Sequence, residues 1–356
     1  MRFIHTSDLH INSPLTSHLT PSKTRERKDE LLHSFRILTE EAMALSADAV
    51  IIAGDLFDSE RISQKALTSV IASIERAKSI TFFYLAGNHE KSALIDTGMP
   101  LPDNLKVFSE DWTYFEICNV MIVGRQKTSA DMFKTLRLSD KAPSVTVLHG
   151  ELRDYSDAGG IIGVRDAECI ECDYMALGHY HTFKERKINK RCTAVYSGTP
   201  EGRGFDEVGD KGYVVVDIDE KGVSYSFKKR AKRTIHAIEV DITGAKTQYE
   251  IESLIEHAAK RAVRDDVVRI ILTGEHETNL ERDTSMLQRF FEDRYFYFEV
   301  IDKSRLKIDL DDFKLDKSLK GEFVRVVMAS EELSDDEKSA IIECGISALM
   351  GEEIKR

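Results

Sequence analysis

Long apolar runs are missing from this chain of 356 residues. The stretches at 49–54, 81–86 and 267–272 are far shorter than the ~20 residues needed to cross a bilayer, which argues against a membrane protein. A secretory leader is not expected either. Phe3 and Ile4 are followed at once by Asp8 and His10, leaving no room for an apolar segment of roughly 7–15 residues. A cytoplasmic location is the expectation. Cysteine is scarce: Cys118, Cys169, Cys172, Cys192 and Cys344 are odd in number and scattered, which speaks against a disulfide framework and for a reducing compartment. Cys169 and Cys172 have zinc-site spacing, but there is no second pair to complete a tetrahedral site, so they are expected as thiols leading into a buried strand. Gly202 and Gly204 lack the third glycine of a dinucleotide fingerprint, and Ser197 sits in no Gly-x-Ser-x-Gly elbow. Internal repeats and low-complexity segments are absent too.

An excess of basic charge is also lacking. Fifty Lys and Arg stand against 62 Asp and Glu, a net −12, which does not favour a nucleic-acid partner. Residues 231–356 carry 20 basic against 28 acidic groups, so most of the excess lies there. Two local basic runs survive, Lys184, Arg186, Lys187, Lys190 and Arg191, then Lys228, Lys229, Arg230, Lys232 and Arg233. Either a polyanion surface or an ordinary solvated strand-and-turn surface accounts for them.

The periodicity predicts strands near 1–7, 49–54 and 81–86, separated by amphipathic helices over 26–46 and 61–78. Strand and helix in alternation imply parallel pairing through crossovers. Short strands follow near 105–108, 113–117, 119–123, 144–148, 174–177, 193–196, 212–218 and 222–228. The fold class expected is α/β: two packed mixed β-sheets flanked by helices, followed by a smaller α/β domain and a C-terminal helical tail. The domain limits expected are 1–232, 233–312 and 313–356. The tail holds two helices near 318–329 and 334–349, the second capped by Ser334.

Five short motifs each follow an apolar strand: Asp8 with His10; Gly54, Asp55 and Asp58; Gly87, Asn88, His89 and Glu90; His149 with Gly150; Gly178, His179 and His181. Loops at the carboxyl ends of strands in α/β sheets converge on one crevice, so residues more than 170 positions apart can meet. Asp, Asn and His offer hard to borderline oxygen and nitrogen donors suited to Mn²⁺, Fe²⁺ or Zn²⁺. Alternate residues on an extended strand end, as in Asp8/His10 and His179/His181, would point the same way. A single pair of this kind is usually an accident of surface or core; five in order imply a metal site. His5, His18, His33, His236, His257 and His276 are read as structural.

The order of these motifs resembles the calcineurin-like metallophosphoesterase superfamily. Asp8 through Pro14, and Tyr196 through Phe205 running on to Lys211 and Tyr213, are similar to the SbcD-type DNA repair exonucleases. The resemblance implies a metal pair, with Mn²⁺ the preferred ion and Asp55 bridging. One metal would take Asp8, His10 and His181; the other Asn88, His149 and His179. The pair would clamp a phosphodiester and activate a bridging water as nucleophile. It implies His89 as the catalytic residue that protonates the departing oxygen. Asp58 either orients the histidines or caps the helix starting near Arg61, and the cap is the preferred reading. Arg203 and Phe205 could hold a phosphate and stack a base, or form a tight turn with a packed ring.

The function expected is Mn²⁺-dependent cleavage of DNA, with 235–310 as a cap over the crevice. The alternative is a small-molecule phosphodiesterase or phosphatase on the same domain. Implied partners are DNA, an SbcC-type coiled-coil ATPase and a second copy of the chain. Helices 26–46 and 61–78 offer a dimer contact or an ordinary packed exterior.

Overall fold

Strands β1 (Arg2–Thr6), β2 (Ala49–Ala53) and β3 (Thr81–Leu85) are buried on both faces almost throughout, as central parallel strands should be. The computed structural model describes every residue except 16–18, 91–93, 95–97, 140–141, 157, 278–279, 308–315 and 350–356. His18 and the expected limit at 312/313 lie outside the described residues.

Further along are β4 (Leu105–Val107), β5 (Thr113–Ile117), β6 (Val120–Gly124) and β7 (Ser144–His149). A short ribbon of β8 (Glu151–Arg153) and β9 (Ile161–Gly163) precedes β10 (Tyr174–Gly178), β11 (Lys184–Lys187), β12 (Thr193–Tyr196), β13 (Gly212–Asp219) and β14 (Gly222–Lys229). The first sheet runs β14-β13-β1-β2-β3-β4, with β1 to β4 parallel. The second runs β11-β12-β10-β7-β6-β5; β6, β7, β10 and β12 are parallel, and the edge strands β5 and β11 are antiparallel to their neighbours. Five of these parallel strands (β1, β2, β3, β7 and β10) lead directly into the five motifs.

Strand alternation builds the core. Ala49, Ile51 and Ala53 face the second sheet, where Val145, Val147 and Ala176 meet them. Val50 and Ile52 face the opposite way, against α1 (Pro21–Ala44) and α2 (Gln64–Arg76) through Leu32, Phe35, Leu38, Val70 and Ile74. Each such side chain contributes roughly 1.5–3 kcal/mol by its burial. The outer face of the second sheet is covered by Met132 and Phe133 of α3 (Met132–Thr135) and by Val164 and Ala167 of α4 (Val164–Ala167). Two packed sheets with helices outside is the architecture expected.

Helix α1 begins five residues before the expected start. Thr20 accepts from the Lys23 amide and Pro21 occupies the first turn, where its missing N–H costs nothing. The polar first turns carry no apolar periodicity, so the pattern alone begins too late. The ribbon of β8 and β9 was not expected at all.

The chain divides into two compact units, Met1–Ile235 and His236–Arg356. Within the second, β15 (Ile235–Asp241), β16 (Val267–Thr273) and β18 (Tyr297–Asp302) form a three-stranded sheet, β15 beginning on the last residue of the first unit. Its core packs Ile251 and Ile255 of α5 (Gln248–Ala258) with Leu287 and Phe291 of α6 (Thr284–Phe291). Strands β17 (Glu275–His276) and β19 (Arg305–Leu306) pair in parallel. Helices α7 (Leu319–Met328) and α8 (Asp335–Leu349) meet through Val324, Val327, Ile342 and Ile346. Ser334 and Glu337 form a reciprocal capping box ahead of α8. No described helix is long and apolar enough to cross a membrane.

Candidate metal centre

The chain leaves each strand end by a sharp turn rather than by continuing extended. Asp8, His10 and Asp55 have φ of 53°, 45° and 51°, and His179 has 113°. For residues with a Cβ this region costs of order 1 kcal/mol or more each, and such residues gather at functional sites. The expectation of strand-like alternation at Asp8/His10 and His179/His181 is therefore corrected: β1 ends at Thr6 and β10 at Gly178, and the turned backbone aims the side chains. Amides hold the turns: Asp8 N donates to Gly54 O, His10 N to Asp55 O, and His179 N to both Asp8 carboxylate oxygens. Packing leaves no slack. A Cβ on Gly54 would lie 2.0 Å from His149 Nδ1, and one on Gly87 2.0 Å from Asp55 Oδ1.

These turns bring the expected ligands together. Nitrogen and carboxylate oxygen atoms of Asp8, His10 and His181 lie within 4.8 Å of one another, as do those of Asp8, Asp55 and His149. Asp55 Oδ2 is 3.3 Å from His149 Nε2 and 3.9 Å from His10 Nε2, between the two sets. Asn88 Oδ1 lies 2.9 Å from His149 Nε2, and the His10 and His181 Nε2 atoms are 3.2 Å apart. The exposed ring of His179 packs edge-on to His149 at 5.5 Å.

The imidazoles are oriented from behind. His149 donates from Nδ1 to the Ala53 carbonyl at 2.9 Å. His181 Nδ1 meets Glu207 Oε1 at 2.6 Å, and His10 Nδ1 lies 3.1 Å from Asp58 Oδ1, close enough to pair in charge but without hydrogen-bond geometry. The Nδ1 atoms of His149 and His181 are committed outward, and the Nε2 atoms of His149, His181 and His10 face the carboxylate oxygens of Asp55 and Asp8, a concentration of negative charge that positive charge must balance. Burial opposes charge here, yet Asp55 and Asp8 push the His149 imidazole up to about 9. Burial likewise works against Asp55, whose carboxyl is nevertheless held down at about 2 by His149. The cluster stabilises cations, and its donor set fits two divalent ions.

Asp58 does not cap α2. Ser63 does, accepting from Ala66 N at 3.3 Å. Asp58 instead joins His10 to Arg203, whose Nη1 donates to it at 2.9 Å. Arg203 also donates to Glu207 at 2.7 Å, so Asp58, Arg203 and Glu207 link the backs of His10 and His181. Glu207 escaped the sequence reading; its only signal is a carboxylate four residues after Arg203. Burial opposes ionisation of Glu207, but His181 and Arg203 hold it at about 2. Phe205 is half-buried on the same loop. Glu90, named in the third motif without a role, is fully buried and accepts from the amides of Leu56, Phe57 and Gly87, and so ties the Asp55 and Asn88 loops together.

His89 lies against the expected ligand His10, and ligand atoms of His10, Asp58 and His89 fall within 4.8 Å of one another, so this group too could hold an ion. The exposed ring of His89 packs edge-on to His10 at 4.9 Å, and its Nδ1 lies 3.3 Å from the Asp58 carbonyl. A cleft of about 740 Å³ opens beside Asn88, His149 and His179. His5, by contrast, is a satisfied core residue between the Tyr174 hydroxyl and Leu177 O, and burial lowers it to about 3.

At least six of the ten cations in the basic runs form ion pairs within the chain, several with distant segments. Arg186 meets Asp154, Arg191 meets Asp173, Lys229 meets Asp210, and Arg230 meets Glu41. Lys232 and the buried Arg233 converge on Glu30 of α1. Of the five free cysteines, Cys172 and Cys192 are buried, and Cys172 lies just ahead of β10 as expected.

A family model described as calcineurin-like phosphoesterase matches residues 1–223. An uncharacterized metallophosphoesterase of Bacillus subtilis, YhaO, is 27% identical over 82% of this chain and 76% of its own length. The DNA double-strand break repair protein Mre11 of Methanosarcina acetivorans is 24% identical over 79% of this chain but only 47% of its own. A solved dimetal phosphatase from Danio rerio aligns with 63% of this chain and 96% of its own at 11% identity, with a TM-score of 0.43.

Proposed function

From a chain that belongs to the calcineurin-like phosphoesterase family, we propose an enzyme that uses two divalent ions, Mn²⁺ by preference, to hydrolyse phosphodiester bonds in DNA. The observation that carries the reading is the inward convergence of imidazole nitrogen and carboxylate atoms from four strand ends, joined by the Asn88 amide oxygen from a fifth, beside an open cleft. Asp8, His10 and His181 would hold one ion, and Asn88, His149 and His179 the other, with Asp55 shared. Bound there, the ions supply Lewis-acid charge for both the attacking and the leaving oxygen. The chain does the rest. Glu207, held by Arg203, keeps the His181 imidazole in one tautomer, Asp58 places a carboxylate against His10, and Glu90 fixes the loops of Asp55 and Asn88. His89 spends Nδ1–H on the Asp58 carbonyl; when protonated it presents Nε2–H to the departing sugar oxygen. Arg203 would act by positioning rather than by touching a phosphate, because its guanidinium is committed to Asp58 and Glu207.

DNA as substrate is supported by the Mre11 relatives, and residues 233–312 are taken as the capping domain of that reading, with 313–356 as its tail. An SbcC-type ATPase and a second copy of this chain are its expected associates, to be sought by co-purification. The internally paired basic runs favour instead a small phosphodiester. A linear duplex with Mn²⁺, assayed beside bis-p-nitrophenyl phosphate and a cyclic nucleotide, separates the two. Turnover of the small esters with none of DNA would sink the nuclease reading.

A further inference from the structure

The cleft beside the metal centre has a second half that hydrolysis of a simple ester does not use. In the second sheet β10, β7 and β6 lie side by side and run parallel, so their carboxyl ends form a row at steps of about 4.8 Å. The first two ends carry His179 and His149. The third leads into Gln126, Lys127 and Thr128, which line the same cleft, together with Glu110. At about 740 Å³ the cavity is of the size that holds a drug-sized ligand, well beyond one phosphate group.

One stretch of its wall is bare backbone. Gly159 and Gly160 line it, and a Cβ on either would meet nothing within 4 Å. The wall is nonetheless fixed: Gly160 N donates to the buried Thr128 hydroxyl at 2.7 Å, and Glu151 N donates to Gly160 O at 2.8 Å. A bare, anchored backbone lets a ligand approach closely. Lys127 is the only lysine or arginine lining the cleft among the described residues, 70% exposed and held only loosely by Glu110 at 3.8 Å.

We propose that this half of the cleft seats the next unit of a nucleic-acid strand, with Lys127 pairing its phosphate and the Gly159–Gly160 wall taking its sugar or base. The proposal rests on the phosphodiesterase reading above and narrows its substrate to an oligonucleotide. Glu110, beside Lys127, would oppose the same phosphate.

The test compares a short single-stranded oligonucleotide with methyl p-nitrophenyl phosphate, whose second substituent is a single methyl, both with the Mn²⁺-supplemented full chain. Lys127→Ala should raise KM for the oligonucleotide about tenfold, lower the salt slope of log KM by about 0.7, and leave the methyl ester within twofold. Glu110→Gln should move the oligonucleotide KM the other way, about two- to threefold. Gly159→Leu, which fills the cleft without a positive φ to strain, should cut oligonucleotide turnover at least tenfold and spare the methyl ester. An active enzyme whose oligonucleotide kinetics ignore Lys127→Ala and Gly159→Leu overturns this inference alone. Equal damage to both substrates by Gly159→Leu overturns it too. An unaltered enzyme that cleaves the methyl ester and no oligonucleotide overturns the inference and the DNA reading together.

Discussion

The two halves of the metal centre are built differently. Around Asp8, His10 and His181, both rings are backed by carboxylates, Asp58 and Glu207, cross-linked by Arg203. Around Asn88, His149 and His179, the backing of His149 is a main-chain carbonyl, and Asn88 and His179 are exposed along the cleft. A carboxylate behind an imidazole raises its basicity more than a neutral carbonyl does. The first group is thus the richer in carboxylates behind its rings, and the second lies open to the cleft. Asp55 stands between them.

Breaking the junction should have the largest effect. Asp55→Asn is expected to abolish measurable turnover and to lower bound metal below two ions per chain by mass spectrometry; two retained ions with normal rates would refute a shared carboxylate. Next comes His89→Ala, which should lower kcat by about 100- to 10,000-fold while metal content stays unchanged. Loss of metal in that variant would make His89 a ligand, not a proton donor. A sharper cut between the halves is Glu207→Gln. Stepwise metal titration should show one site weakened by about 10- to 100-fold and the other unaffected, with Asp58→Asn at the lower end of that range. Equal weakening of both sites would erase the distinction.

The smallest effect separates these rings from a buried histidine in neither half. His5 is lowered by burial to about 3, so its neutral form is favoured by folding. Its contribution is complete above an unfolded value near 6.5 and is lost as pH falls toward 3. Between pH 7.5 and 5.5 that is about 1.4 kcal/mol. In metal-free protein, His5→Phe should therefore flatten the acid-side fall of the urea midpoint, and unchanged curves would contradict it.

The five strand-end motifs were legible because each is local, polar ligands soon after an apolar run, four of them beside a glycine. Their convergence followed from topology. What lay beyond the sequence was tertiary: Asp58 and Arg203 are 145 positions apart, and only the fold shows that they meet. Asp58 was expected as a cap because a helix does begin nearby, but Ser63 is closer to its first turn. Left-handed φ at Asp8 and His10 has no composition signal, since neither is glycine. Three-residue strands such as β8 and β9 are too short to show a period. The basic runs read as a surface because their acidic partners, Glu30, Glu41, Asp154 and Asp173, come from distant segments.

One of those runs has a consequence of another kind. Strand β11 closes one side of the second sheet, paired only with β12, and all four of its residues, Lys184, Glu185, Arg186 and Lys187, are exposed. An open strand side is a template on which a foreign strand can add, and lysine and arginine placed there make such addition costly. The cations of β11 therefore guard the fold against self-association at high concentration. Replacing them with threonine or valine would leave the metal centre intact and turn that flank of the protein adhesive.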